Sequence, residues 1–293
     1  MRARMNRTFS VLAIAGALAA IGPSGGANAQ STGVPNSGFF VGAGASFNST
    51  QFTDQLLYSQ GVSRIYQGGV QVGAGSAGGA VIPDFGNAST FAGTGQAGYF
   101  QHLQGSDWLW GAKVSYNYLG ASAENKTLAV PQAGSFTGSS PDSFSGNVVV
   151  QSYTTNVTNQ LALIPFVGRS FEKSFVYLGA GPTLSQVKHD MNGTIGFAAI
   201  NGSHFNITGT PANFSSSQWV LGGAAVIGAT YFFAPTWFLD LSYTYAVTQT
   251  KTNTYGGPFS SSTDGYDDIG ILSGYFSGGT TTHALTISLN KTF

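Results

Sequence analysis

The stretch THALTISLNKTF (residues 282–293) alternates between two kinds of side chain. Leu285, Ile287, Leu289 and Lys291 fall on one face of an extended chain; Ala284, Thr286, Ser288, Asn290 and Thr292 fall on the other. Period-two alternation is the mark of a strand with two different environments. The small polar face here excludes a strand buried on both sides.

The same pattern recurs upstream. In GFFVGAGASFN (38–48), Phe39, Val41, Ala43, Ala45 and Phe47 share a face. In WLWGAKVSYNYL (108–119), Trp108, Trp110, Ala112, Val114, Tyr116 and Tyr118 do so, with Lys113, Ser115 and Asn117 opposite. WFLDLSYTYAV (237–247) sets Trp237, Leu239, Leu241, Tyr243, Tyr245 and Val247 against Phe238, Asp240, Ser242, Thr244 and Ala246. TFAGTGQAGYFQ (90–101), NQLALIPFVGRSF (159–171), FVYLGAGPTLSQV (175–187) and QWVLGGAAVIGATYFF (218–233) complete eight segments. Short turns (HLQGSD, EKS, APT) alternate with long gaps between them.

Composition narrows the class. Only 8% of the 293 residues are charged, against about 25% in soluble domains. Gly (42 residues) and Ser, Thr, Asn and Gln stand in for the missing charge, while 13% aromatics exclude a disordered chain. At the N-terminus, Arg2, Arg4 and Arg7 precede the apolar run SVLAIAGALAAI (10–21) and a small-residue ANA site (27–29). This reads as a cleaved secretory signal over 1–29, with 30–37 as an N-terminal segment and a barrel over 38–293. Losing three Arg leaves 8 basic against 11 acidic residues, a net −3. No basic stripe remains for nucleic acid. There is no Cys, so neither disulfides nor thiol chemistry are expected.

No later run approaches a spanning helix, so a membrane would be crossed by a closed barrel, which leaves no backbone amide unpaired in lipid. The expected fold is all-β: an eight-stranded antiparallel up-and-down transmembrane β-barrel with short periplasmic turns and four long extracellular loops. A ten-stranded variant would recruit RIYQGGVQVGAG (64–75), otherwise part of the first external loop or an extension of its hairpin. Trp108, Trp237, Tyr243 and Tyr245 stand where interfacial belts would lie. Arg169 and Lys291 lie near the short-turn ends, where their cations can snorkel to headgroups. Lys113 and Asp240 are the two charges assigned to the interior, on opposite strands. An eight-stranded interior is just wide enough for side chains to fill, so the two are expected to pair across it, directly or through water; the alternative is that each is solvated in a small water pocket.

GFFVGAGASF, GQAGYFQ, WLWGAKVSYNYLG, YFFAPTWFLDLSYTY and LTISLNKTF together resemble the small outer-membrane β-barrel family, of the OmpA/OmpX type and especially the alphaproteobacterial surface-antigen or porin-family barrels. The resemblance covers about residues 38–293 and implies an outer-membrane location. It implies contact with outer-membrane lipids and lipopolysaccharide, and a C-terminal signal (Ile287, Leu289, Phe293) read by the barrel-assembly machinery. The family's usual aromatic two positions before the terminal Phe is replaced by Lys291. No peptidoglycan-binding domain is expected after Phe293.

Chemistry is sparse. A barrel lipid deacylase would want a His–Ser pair close in one strand, and His283 is followed by Ala-Leu-Thr. A barrel protease would want His and acids facing each other at the rim; His189 and His204, both placed in the third long loop, and DGYDD (264–268) lack the spacing, and His102 lies at a short turn. GAGSAG (73–78) matches a dinucleotide fingerprint but opens no helix. No catalytic residue, cofactor or metal site is assigned. The expected role is structural or surface-interacting, with an unidentified external partner on the long loops. The alternatives are a narrow channel for small solutes or ions, and a lipid-modifying enzyme.

Overall fold

The computed structural model describes residues 33–138, 144–200 and 202–293. The signal segment 1–29, and residues 30–32 of the N-terminal segment, lie outside them. Eleven strands follow in chain order: β1 (Ser37–Gln67), β2 (Val70–Val81), β3 (Ala88–His102), β4 (Trp108–Gly138), β5 (Phe144–Ser170), β6 (Ser174–Ile200), β7 (Ser203–Asn206), β8 (Ala212–Ala234), β9 (Trp237–Thr248), β10 (Lys251–Thr263) and β11 (Tyr266–Thr292). All ladders are antiparallel, and the last strand pairs back onto the first. Near the short turns the circuit runs β1–β3–β4–β5–β6–β8–β9–β11–β1.

The expected long loops are not loops. The same ladders continue upward, β1 with β11 as far as Gln67↔Tyr266 and β4 with β5 as far as Gln132↔Gly146. There β2 takes the place of β3 beside β1 and β4, and β10 takes the place of β9 beside β11. The chain passes from β2 to β3 through residues 82–87, which include Pro83, and from β9 to β10 through residues 249–250. The segment 64–75 is the top of the β1–β2 hairpin. It turns at Gly68 and Gly69, both at positive φ (58° and 82°), as a two-residue hairpin requires. Asp264 and Gly265 (φ 52° and 81°) turn β10 into β11 in the same way, so the acidic DGYDD is a hairpin turn followed by the first residues of β11.

Side-chain direction follows the alternation. Leu241 and Leu289 are 51% and 44% exposed, whereas Ser242 and Ser288 are 4% and 2%. All four Trp point outward. Above this apolar band the outer face turns ionic: Lys188 meets Asp190 at 2.8 Å and Lys126 meets Glu124 at 3.8 Å. β4 has 31 residues and β6 has 27, against about 9–11 for a tilted span. The upper halves of these long strands therefore stand clear of any bilayer that wets the lower halves.

Bulges reset the pattern between the halves. At Asp54 (φ 53°) the β1–β11 register shifts, and the inward set passes from Ser46, Asn48 and Thr50 to Gln55, Leu57 and Ser59. Inward and outward also exchange at Thr127 (φ 56°) of β4, where the β4–β5 register is unshifted, and at Gly193 (φ 65°) of β6, where the β6–β8 register shifts. One extra residue exchanges the two faces of everything beyond it.

Candidate functional site

The interior is filled in layers. At the short-turn end Phe40, Phe100, Phe166, Phe175, Phe232 and Phe238 pack together. Their ring centroids lie 4.8 Å apart for Phe232–Phe238 and 5.5 Å for Phe40–Phe238. Higher up, Leu119, Ala121, Val157, Val187 and Val220 form a second cluster. Leu57, Val130, Val148, Val150, Tyr153, Met191 and Phe276 belong to a third.

A charged layer adjoins the first of these. Lys113 of β4 and Asp240 of β9 point inward by parity and are 5% and 3% exposed. The structure brings them together: Lys113 Nζ donates to Asp240 Oδ2 at 3.2 Å. Nζ also donates to Tyr177 Oη at 2.6 Å, and that hydroxyl donates to Asp240 Oδ1 at 2.8 Å. Gln96 Nε2 lies 3.0 Å from Asp240 Oδ2, 2.9 Å from Ser288 Oγ and 2.8 Å from Asn290 Oδ1. Burying two ions costs several kcal/mol each unless geometry and further hydrogen bonds compensate. Here both carboxylate oxygens and the ammonium have partners. The pair is legible from parity; Gln96 and Tyr177 are missed, although each is a polar side chain at an inward position.

The outer anchors fall in two places. Trp108, Trp237, Arg169, Lys291 and Phe293 sit at the short-turn end. Arg169 is 3.8 Å from Asp107, and Lys291 Nζ lies 5.2 Å from the Phe293 ring centroid and 5.9 Å from that of Trp237. Phe293 N–H donates to Phe39 O at 2.8 Å, while Leu289 and Ile287 pair with Ala43 and Ala45. Tyr243 and Tyr245 stand nearer the opposite edge of the band, beside His283, whose Nδ1 is 2.7 Å from Tyr243 Oη.

The histidines divide. His189 lies in β6, not in a loop, and is buried against Phe276 with its Nδ1 3.1 Å from Thr155 Oγ1. Loss of hydration pushes this imidazole down to about 4, Asp190 opposing only in part. His204 is on the exposed β7. His102 Nε2 lies 2.8 Å from Ser170 Oγ, with Nδ1 3.2 Å from Asn36 O. This nucleophile–base contact is invisible in the sequence because its members come from different strands. Beside it, Ser170 N–H and Phe171 N–H are engaged with Asp107 O and Ser174 O, and the contact ties two short turns together. Among the described residues no group of three or more His, Asp or Glu is placed to hold a metal.

No family model and no curated protein sequence matches the chain. Solved structures similar to it include small outer-membrane β-barrels. The attachment invasion locus protein Ail of Yersinia pestis is 15% identical, over 82% of this chain and 98% of Ail, with a TM-score of 0.23. Neisserial surface protein A is 13% identical over 79% and 97% (TM-score 0.25). The outer membrane protease OmpT of Escherichia coli is 12% identical over 87% and 97% (TM-score 0.25).

Proposed function

We propose that this chain is a closed, non-enzymatic outer-membrane barrel that acts through the wall it raises above the membrane. Eight strands, β1, β3, β4, β5, β6, β8, β9 and β11, cross the bilayer. The outward alternation of Trp, Leu, Ile and Val meets hydrocarbon, and the cationic and aromatic residues at the short-turn end meet periplasmic headgroups. Export through a cleaved signal, capture of the terminal strand by the assembly machinery, and lipopolysaccharide contact at the outer edge of the band belong to the same proposal.

The observation that carries it is the packed lumen. Three apolar clusters and the Lys113–Asp240 layer occupy successive heights of the interior, which opposes a channel. A rigid plugged cylinder leaves the extracellular hairpins as the variable, contact-making surface. Reconstitution into planar bilayers tests this. The expected result is insertion without stable conductance steps. A steady unitary conductance would replace it with the narrow-channel alternative.

A further inference from the structure

The upper wall has an interrupted seam between β8 and β10. Below it, β8 pairs with β9 from Gly222↔Thr248 downward. Above that point β9 gives way to β10, and β10 pairs with β11 alone. The upper part of β8 pairs with β6 alone. The seam is pinned at its foot by Gln249 N–H donating to Leu221 O at 2.9 Å. It is pinned at its head by the Gly209–Ser260 bridge and by Ser261 Oγ donating to Ile207 O at 3.1 Å. Between these pins, among the described residues, no ladder joins the two strands. Each presents a row of backbone N–H and C=O groups to the other.

Between those edges lies a cavity of ≈ 450 Å³, within the range of ligand-binding clefts. None of its lining residues is charged. Phe214 and Leu272 are among its lining residues, and the Phe214 ring meets that of Tyr255 at 4.8 Å. Two buried amide donors on the inward faces of these same strands, Gln218 Nε2 of β8 and Asn253 Nδ2 of β10, have no hydrogen-bond partner. Unpaired backbone would be intolerable in hydrocarbon, and the seam begins above the outward Tyr245 and Val247, where water reaches it.

We propose that the seam accepts one extended, uncharged peptide segment of another polypeptide. The segment completes the wall by backbone pairing with β8 and β10, the mode of strand addition, and sets hydroxyl or amide side chains against Gln218 and Asn253. The facing edges favour a peptide over a sugar or other small polar ligand, because only a backbone supplies alternating donors and acceptors along both sides. Pro258 and Lys251 on β10 are residues that guard open edges against indiscriminate pairing, so the seam admits a short segment without inviting sheet-to-sheet aggregation. This inference rests on the surface role proposed above and names its partner class.

The test uses the purified full barrel in detergent, with folding checked by heat-modifiable gel mobility. The probe is a fluorescent synthetic nonapeptide of alternating Thr and Ser; its control carries N-methyl groups on alternate amides. Saturable binding of the probe is expected, weakened at least about tenfold by methylation and about thirtyfold by Gln218→Ala with Asn253→Ala, since each of the two lost hydrogen bonds is worth about 1 kcal/mol. The chain has no Cys, so Ser215→Cys with Thr254→Cys can be bridged across the seam by a short bis-methanethiosulfonate reagent, each thiolate displacing methanesulfinate to form a reducible disulfide. Bridging should abolish binding and reduction should restore it. Absence of binding at about 1 mM probe, a very weak affinity, would overturn the proposal. So would equal binding of the methylated control, or undiminished binding by the bridged barrel. A negative result here leaves the closed lumen standing, because conductance reports on that separately.

Discussion

Replacing Lys113 by methionine keeps the volume of the side chain and removes its charge. It leaves the Asp240 carboxylate 3% exposed, still accepting from Tyr177 at 2.8 Å and from Gln96 at 3.0 Å. Breaking a buried pair by removing one partner costs about 3–5 kcal/mol. The two remaining donors place this case at the lower end, about 3 kcal/mol. Asp240→Leu alone strands the ammonium and should cost a similar amount. The double variant should recover most of the loss, because a buried pair replaced by apolar residues of similar volume is often neutral. Urea unfolding in lipid vesicles, followed by fluorescence of the four outward Trp, gives the four corners of the double-mutant cycle. A single-variant cost under about 1 kcal/mol and a coupling below about 0.5 kcal/mol would mean that the two charges are independently hydrated. The lumen would then be wet at this height, and the plug argument would fail.

Three further outcomes follow from the same geometry. The His189 imidazole is held at about 4 by burial, against 6.5 in the unfolded chain. The unfolded state therefore binds more protons between those values. Stability from this site is complete above about pH 6.5 and is lost as the pH falls toward 4, by about 3 kcal/mol in all; His189→Gln should flatten that part of the wild-type pH profile. Leu241→Arg places a cation on the outer face near mid-band and should destabilise the barrel in vesicles by about 2–4 kcal/mol, whereas a position on the upper outward face such as Gln60→Arg should be nearly silent. Gly44 of β1 has no room for a side-chain carbon against the backbone of Ile287 and Ser288 in β11, so Gly44→Val should prevent the β1–β11 closure and abolish heat-modifiable mobility.

The lower half of the fold was legible because a single rule operates there: outward positions are apolar, inward ones are small, polar or aromatic. The alternation of Trp237 to Val247 shows it without interruption. The upper half was not legible, for a reason visible at Asp54, Thr127 and Gly193. At each of them inward and outward residues exchange, so a period-two count started below runs out of phase above. Water on the outer face also removes the apolar contrast, which is why Ser/Thr/Gly-rich strands such as β2 and β10 look like loops. Lys113 and Asp240 stood out as charges on an interior face; Gln96 and Tyr177 did not, since a neutral polar residue on that face is common. His189 was misplaced because its strand continues beyond the expected end of the span.

The central claim is that alternate side chains of the lower strands meet hydrocarbon while their neighbours fill a sealed interior. Because the chain has no Cys, single cysteines can carry a nitroxide at each position from Leu239 to Val247 in lipid vesicles, and collision with dissolved oxygen can be read along the strand. The account expects high oxygen accessibility at Leu239, Leu241, Tyr243, Tyr245 and Val247, and low accessibility, with immobilised spectra, at Asp240, Ser242, Thr244 and Ala246. A flat profile, a period of 3.6 residues, or maxima at Ser242 and Thr244 would contradict it.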